Sequence, residues 1–224
     1  MTETPQIPLP LRYQRPALQP FLSGACNRMA ELTVRAWPKW SAPIVYLQGP
    51  SASGKTHLAM LWAELAGAAI VSAASLGGAW MNLLPTAGHA VVEGLDALDD
   101  EEALFHLTNE LIGRGGNLLL TARVPPGGLP LALSDLKTRI RSATVAAIGA
   151  PDEAFLGAFI LTLAERAQLA IDPALAAFCV ERMERTQESA VNLMAALDRR
   201  SLAEGRAVRR ETVLAALKDL AGAA

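Results

Sequence analysis

The sequence predicts an α/β fold, a five-stranded parallel sheet with helices on both faces, followed by a small C-terminal helical bundle. Three observations carry this. Five short runs, IVYLQ (44–48), AAIVSA (68–73), AVVEGL (90–95), NLLLTA (117–122) and TVAAIG (144–149), are apolar at successive positions rather than alternating, as strands buried on both faces are. Stretches of helical length and periodicity separate most of them. After Pro151 the strand-like runs stop and only helical patterning remains.

In chain order, MTETPQIPLPLRYQRPALQP opens the sequence and holds five of its 14 prolines, so residues 1–20 read as an extended tail without helix or ladder bonds. A loop with Trp37 and Trp40 on either side of Pro38 precedes IVYLQ; these tryptophans, with Trp62 and Trp80, read as packing residues. IVYLQ runs through a glycine-rich turn into the helix THLAMLWAEL. Residues 65–92 carry no Asp, Glu, Lys or Arg, which by length alone would suit a membrane span. Gly67, Gly77, Gly78, Pro85 and Gly88 break the stretch, so it reads as strand, short helix and strand, and no membrane is expected. EEALFHLTNELIGRG and LSDLKTRIRSA are the helices around NLLLTA, and TVAAIG closes the sheet. The tail, residues 21–168 and residues 169–224 are the expected units, the last a helical lid built from DPALAAFCVERMER, ESAVNLMAALDRRSLAEG and RRETVLAALKDLAG.

Composition narrows the function. A chain of 224 residues with net charge −2 and a pI near 6.0 is not a dedicated nucleic-acid binder. Arg199, Arg200, Arg206, Arg209 and Arg210 cluster, but Asp198, Glu204 and Glu211 interleave with them, so strong direct DNA binding is not expected. Two cysteines build no disulfide framework, and the N-terminus lacks a basic region followed by an apolar run, which points to the cytoplasm. His57, His89 and His106 share no metal-ligand spacing.

The chemistry sits in GPSASGKT, Gly49–Thr56, which fits Gly-x-x-x-x-Gly-Lys-Thr between a strand and a helix. Its glycines let backbone N–H groups of Gly49, Pro50's followers Ser51, Ala52 and Ser53, and Gly54 turn toward an anion, Lys55 reaches the outer phosphates of ADP or ATP, and Thr56 offers a hydroxyl to Mg²⁺. Hydrolysis needs a second acid, and AVVEGLDAL supplies Glu93 at a strand end, followed by Gly94 and Asp96. A glycine cannot orient water, so the chain's own hydrolytic machinery looks weak. A plainer reading has Glu93 and Asp96 capping the next helix.

In their order and spacing these motifs resemble the AAA+ replication-initiator group, and within it the Hda-type regulatory inactivators of DnaA. FLSGACN (21–27) is similar to the box near the adenine and places Leu22 and Asn27 there; GPSASGKTHLA resembles the P-loop and adds His57; TARVPP resembles the sensor segment. LSDLKTRI resembles the box with the arginine finger, which assigns that role, in trans, to Arg139. The resemblance implies Mg²⁺ held by Thr56 and Glu93, and a lid residue at the phosphates, either Arg185 or Glu188. A glutamate there would cost on the order of 1 kcal/mol against a γ-phosphate in water and about 4 kcal/mol at an effective dielectric of 20, favouring ADP. Arg123 stands where the sensor segment often has an acid, and Glu93 where Asp is usual.

The resemblance also gives the tail a role. QIPLPL, with Gln6, Ile7, Leu9 and Leu11, looks like the family's motif for the DNA polymerase sliding clamp (its beta subunit): an extended peptide whose aliphatic side chains fill a pocket while Gln6 bonds its rim. The implied function is a nucleotide-binding regulator that binds the clamp and stimulates ATP hydrolysis on DnaA, and it leaves room for a homo-oligomer. That the sequence stops at Ala224, without an initiator's helix-turn-helix domain, is expected of such a regulator. A helicase-loader-like ATPase and a clamp-bound adaptor with a structural nucleotide are the alternatives.

Overall fold

A computed structural model describes residues 20–77, 88–204 and 207–222. The clamp-motif residues Gln6, Ile7, Leu9 and Leu11, and Trp80, lie outside the described residues. After α1 (Arg28–Arg35) come β1 (Ile44–Gln48), α2 (Lys55–Ala66), β2 (Ala69–Ser72), β3 (His89–Glu93), α3 (Glu101–Gly113), β4 (Asn117–Ala122), α4 (Ser134–Arg141) and β5 (Thr144–Ala147). The five strands form one all-parallel sheet in the order β2-β3-β4-β1-β5.

Alternate residues of the buried strands serve two cores. Tyr46, Val92, Leu118 and Leu120 face one side and pack with Leu104, Leu107 and Leu111 of α3 and with Leu136 and Ile140 of α4. Val45, Leu47, Val91 and Leu119 face the other and pack with Leu58, Ala59 and Trp62 of α2 and Ala30 and Val34 of α1. Both faces being covered, neither has a polar set, which is why the strands read as continuous apolar runs. Trp37, Trp40 and Trp62 belong to this second core: Trp40 stacks on Trp62 at 4.8 Å, and Trp37 Nε1 donates to Asn117 Oδ1 at 3.0 Å. With α2 on one face and α3 and α4 on the other, β1 is the strand at which the connections change sides, and the crevice at its C-terminal end is where such sheets bind ligands.

Four helices follow: α5 (Glu153–Arg166), α6 (Pro173–Val180), α7 (Gln187–Glu204) and α8 (Arg210–Gly222). Asp152 and Asp172 cap α5 and α6 by accepting Phe155 N–H and Leu175 N–H, each at 2.7 Å. Leu156, Ile160 and Ala164 of α5 share one core with Cys179, Leu193, Leu197 and Val213. Residues of α5, before the 168/169 boundary expected from the sequence, thus pack with the helices of residues 169–224. An amphipathic helix shows its apolar stripe in sequence but not which neighbour covers it.

Candidate nucleotide-binding site

The Gly49–Thr56 loop leaves the C-terminal end of β1 tied to the neighbouring strand by Gly49 N–H donating to Ala122 O at 3.2 Å. Ala52 and Gly54 take positive φ, 56° and 93°; a Cβ on Gly54 would also meet the Phe21 ring at 3.1 Å, so this position requires glycine. Gly54 precedes α2 with no capping side chain, and the first turn carries no acid, so the helix start presents its N–H groups and partial positive charge outward. Lys55 lies back over the loop, its Nζ donating to Gly49 O at 2.8 Å and Pro50 O at 2.7 Å. Burial holds the Lys55 ammonium below the usual lysine range; Asp96 opposes this, Arg123 adds to it and Glu93 opposes it.

These groups open onto a cavity of about 680 Å³, the right order for a nucleotide. Of the residues the sequence placed at the cofactor, Leu22, Asn27, Ala52, Ser53, Gly54, Lys55, Thr56 and His57 line it. Asn27, 1% exposed, organises the first segment: its Oδ1 accepts Gly24 N–H at 2.8 Å and its Nδ2 donates to Leu22 O at 2.9 Å. Gly149 N–H donates to Cys26 O at 2.8 Å and fixes the segment to the end of β5. Gly49, Pro50 and Ser51 shape the loop without lining the cavity.

Sequence reasoning missed the wall contributed by the helical unit and by Phe21: Phe155, Phe159, Thr162, Leu163 and Arg166 of α5, and Gln187 and Val191 of α7. Neither Arg185 nor Glu188 is among the lining residues. Arg185 is exposed and pairs with Glu153 at 2.5 Å; Glu188 is exposed as well. For Glu188 the cause is helical geometry, since residues 187 and 191 share a face and residue 188 lies about 100° round the helix, whereas Arg185 precedes α7. The lid cation at the cavity is Arg166.

At the end of β3, Glu93 Oε1 is buried with no hydrogen-bond partner. Gly94 adopts φ 74° and donates its N–H to Thr121 Oγ1 at 3.0 Å. Neither Glu93 nor Asp96 caps the following helix: Asp100 does, accepting Ala103 N–H at 2.8 Å, while Asp96 holds Arg123. Glu93 is not among the residues lining the cavity; Thr56 is, and its hydroxyl is a hard oxygen donor of the kind Mg²⁺ takes beside phosphates. Among the described residues no three His, Cys, Asp or Glu side chains cluster to hold a metal without phosphates.

Arg139 is not at this cavity. On α4, across the sheet, its guanidinium lies 5.9 Å from the centre of the Phe105 ring, and it forms no ion pair with Asp135. No helix among the described residues is long and apolar enough to cross a membrane.

Sheet order, loop and helical unit together define the AAA+ P-loop fold. Within it, the chain superposes on domain III of the Thermotoga maritima replication initiator DnaA with a TM-score of 0.77 at 16% identity, covering 89% of this chain and 94% of that one. AMPPCP-bound DnaA from Aquifex aeolicus gives 0.61 at 18% identity, over 78% of this chain and 63% of that one. The Thermotoga maritima RuvB Holliday junction branch migration motor gives 0.66 at 19%, over 85% and 67%. The chain thus spans nearly all of the isolated domain but only about two thirds of the longer proteins. No protein-family model and no curated protein sequence matches it.

Proposed function

We propose that this chain is a nucleotide-binding regulator of replication initiation, carrying ADP or ATP with Mg²⁺, docking on the DNA polymerase sliding clamp through QIPLPL and stimulating ATP hydrolysis on DnaA. The observation that carries the nucleotide part is the Gly49–Thr56 loop opening, with Lys55 and Thr56, onto a nucleotide-sized cavity closed by α5 and α7. The likeness to DnaA domain III supports a partner of the same fold, because AAA+ sites are completed by an arginine from a neighbouring domain. Arg139, away from its own cavity and paired with no carboxylate among the described residues, suits that role; an arginine supplied in trans is worth about 10³–10⁵ in rate.

One observation favours residual ATPase activity of the chain itself, the helicase-loader-like reading: Glu93 Oε1 has no protein partner. The deciding experiment measures turnover of DnaA-bound ATP with and without this protein and DNA-loaded clamp. Stimulation only with clamp, lost when Gln6, Leu9 and Leu11 are changed to Ala, is expected; equal turnover in all arms would refute the regulator, and rapid hydrolysis by the isolated chain would install the ATPase reading.

A further inference from the structure

Four side-chain polar atoms of the described residues are buried without a hydrogen-bond partner, and two belong to residues lining the nucleotide cavity: Ser53 Oγ in the loop and Gln187 Oε1 in the helical unit. Ser53 is part of the phosphate loop. Gln187 is not. It is the first residue of α7, following Thr186, whose own hydroxyl already accepts Ser189 N–H at 3.0 Å and so serves the helix end without help. Gln187 is only 3% exposed, and an unpaired buried carboxamide oxygen is unfavourable. A residue needed only to fill this place could be Leu or Met at no such cost. The same wall carries the apolar Val191, Phe159 and Leu163 and two donors, Thr162 and Arg166, and the Gln187 oxygen accepts from neither.

We infer that Gln187 is a specificity residue of the cavity, its side-chain oxygen accepting a hydrogen bond from the nucleoside part of the bound nucleotide. This rests on the nucleotide reading above. Polyphosphate oxygens at neutral pH are acceptors, so an unsatisfied acceptor does not match them, whereas the adenine amino group and the ribose hydroxyls are donors. The terminal torsion of glutamine is broad, so a turn about Cγ–Cδ brings the oxygen to the cavity surface without moving the helix. The contact ties nucleotide occupancy to the closure of α7 over the loop, because the partner of the acceptor arrives only with the ligand.

The test is Gln187→Met, which keeps length and volume and removes both hydrogen-bonding ends. The full chain is titrated with ADP, inosine diphosphate, 2′-deoxy-ADP and inorganic tripolyphosphate, and the unfolding midpoint of the nucleotide-free protein is recorded. The variant should bind ADP about three- to tenfold more weakly, bind tripolyphosphate as before, and unfold at an equal or higher temperature. If the donor is the adenine amino group, the parent discriminates against inosine diphosphate and the variant does not; if it is a ribose hydroxyl, the same holds for 2′-deoxy-ADP. Unchanged ADP affinity, or tripolyphosphate weakened as much as ADP, overturns the inference. Should the variant fold poorly, the ratio of ADP to tripolyphosphate affinity in Gln187→Ala decides, since both ligands sense the same folded fraction. Parent protein that binds no nucleotide, with Lys55→Ala indistinguishable from it, would instead bring down the nucleotide reading itself and this inference with it.

Discussion

The carboxylate of Asp96 accepts the backbone N–H of Arg123 through both oxygens, at 2.8 and 3.1 Å, and lies 3.5 Å from that residue's Nε. One side chain thus ties the turn after β3 to the end of β4, beside the phosphate loop. The backbone bond is charge-assisted, while the guanidinium is 62% exposed and screened by water. Asp96→Ala should therefore cost about 1–2 kcal/mol of stability and Arg123→Ala under about 1 kcal/mol. Urea unfolding checks this, and equal costs would mean that the ion pair, not the backbone bond, matters.

Lys55 should give nucleotide affinity a pH dependence. A lysine whose folded pKa is lowered binds its proton less tightly in the folded chain, so between that pKa and the unfolded value the unfolded state holds more protons and stability rises with pH. Affinity runs the other way, because polyphosphate binds the ammonium. ADP affinity should be level at neutral pH and fall as pH climbs through the lowered pKa, beginning below the ordinary lysine value of about 10.4. Isothermal titration over that range would show the fall; affinity constant up to the ordinary lysine pKa would contradict it.

Gly94 has a conformational reason to be glycine that its place beside Glu93 hides. Gly94→Ala should cost about 1–2 kcal/mol through its left-handed backbone, with open space for the methyl group removing any steric contribution. Thermal unfolding reads this directly; a neutral substitution would show that the turn relaxes.

What the sequence disclosed follows from how local each signal is. The five strands are legible because both faces of the sheet are buried, and the phosphate loop because its eight residues are contiguous and their roles are set by the backbone. The far wall of the cavity is assembled from α5 and α7, more than 90 residues beyond the loop, and whether Gln187 or Glu188 faces inward depends on one helix's rotation. A shift of a single residue is a turn of about 100°, finer than any pattern of apolar spacing resolves. Asp96 was likewise readable as an acid near a helix start, but its partner Arg123 comes from another strand.

That wall yields a direct comparison between two arginines. Arg166 lines the cavity from the last turn of α5, and Arg185 pairs with Glu153 outside it. Arg166→Ala should weaken ADP binding severalfold, and more at low salt, where an exposed cation near phosphate is least screened. Arg185→Ala should leave affinity unchanged and shift stability by under about 1 kcal/mol, as an exposed pair does. The reverse ranking would require the segment before α7 that carries Arg185 to move onto the nucleotide.

Arg139 gives the sharpest division between the proposed regulator and a passive adaptor. The helix that carries it is held at its start by Glu101, whose carboxylate accepts Ala132 N–H at 2.8 and 2.9 Å and Leu133 N–H at 2.8 Å, and the guanidinium rests over Phe105 of α3. Two elements therefore aim Arg139, whereas Arg141 lies about 200° round the same helix and is exposed. Arg139→Ala should keep nucleotide and clamp binding yet lose stimulation of hydrolysis on DnaA, and Arg141→Ala should lose much less. Glu101→Ala should fall between them, since it leaves the guanidinium present but frees the start of its helix. Single-turnover hydrolysis on DnaA preloaded with ATP separates these outcomes. If Arg139→Ala stimulates as well as the parent, the arginine acts nowhere in the reaction, and the chain is an adaptor whose nucleotide is structural.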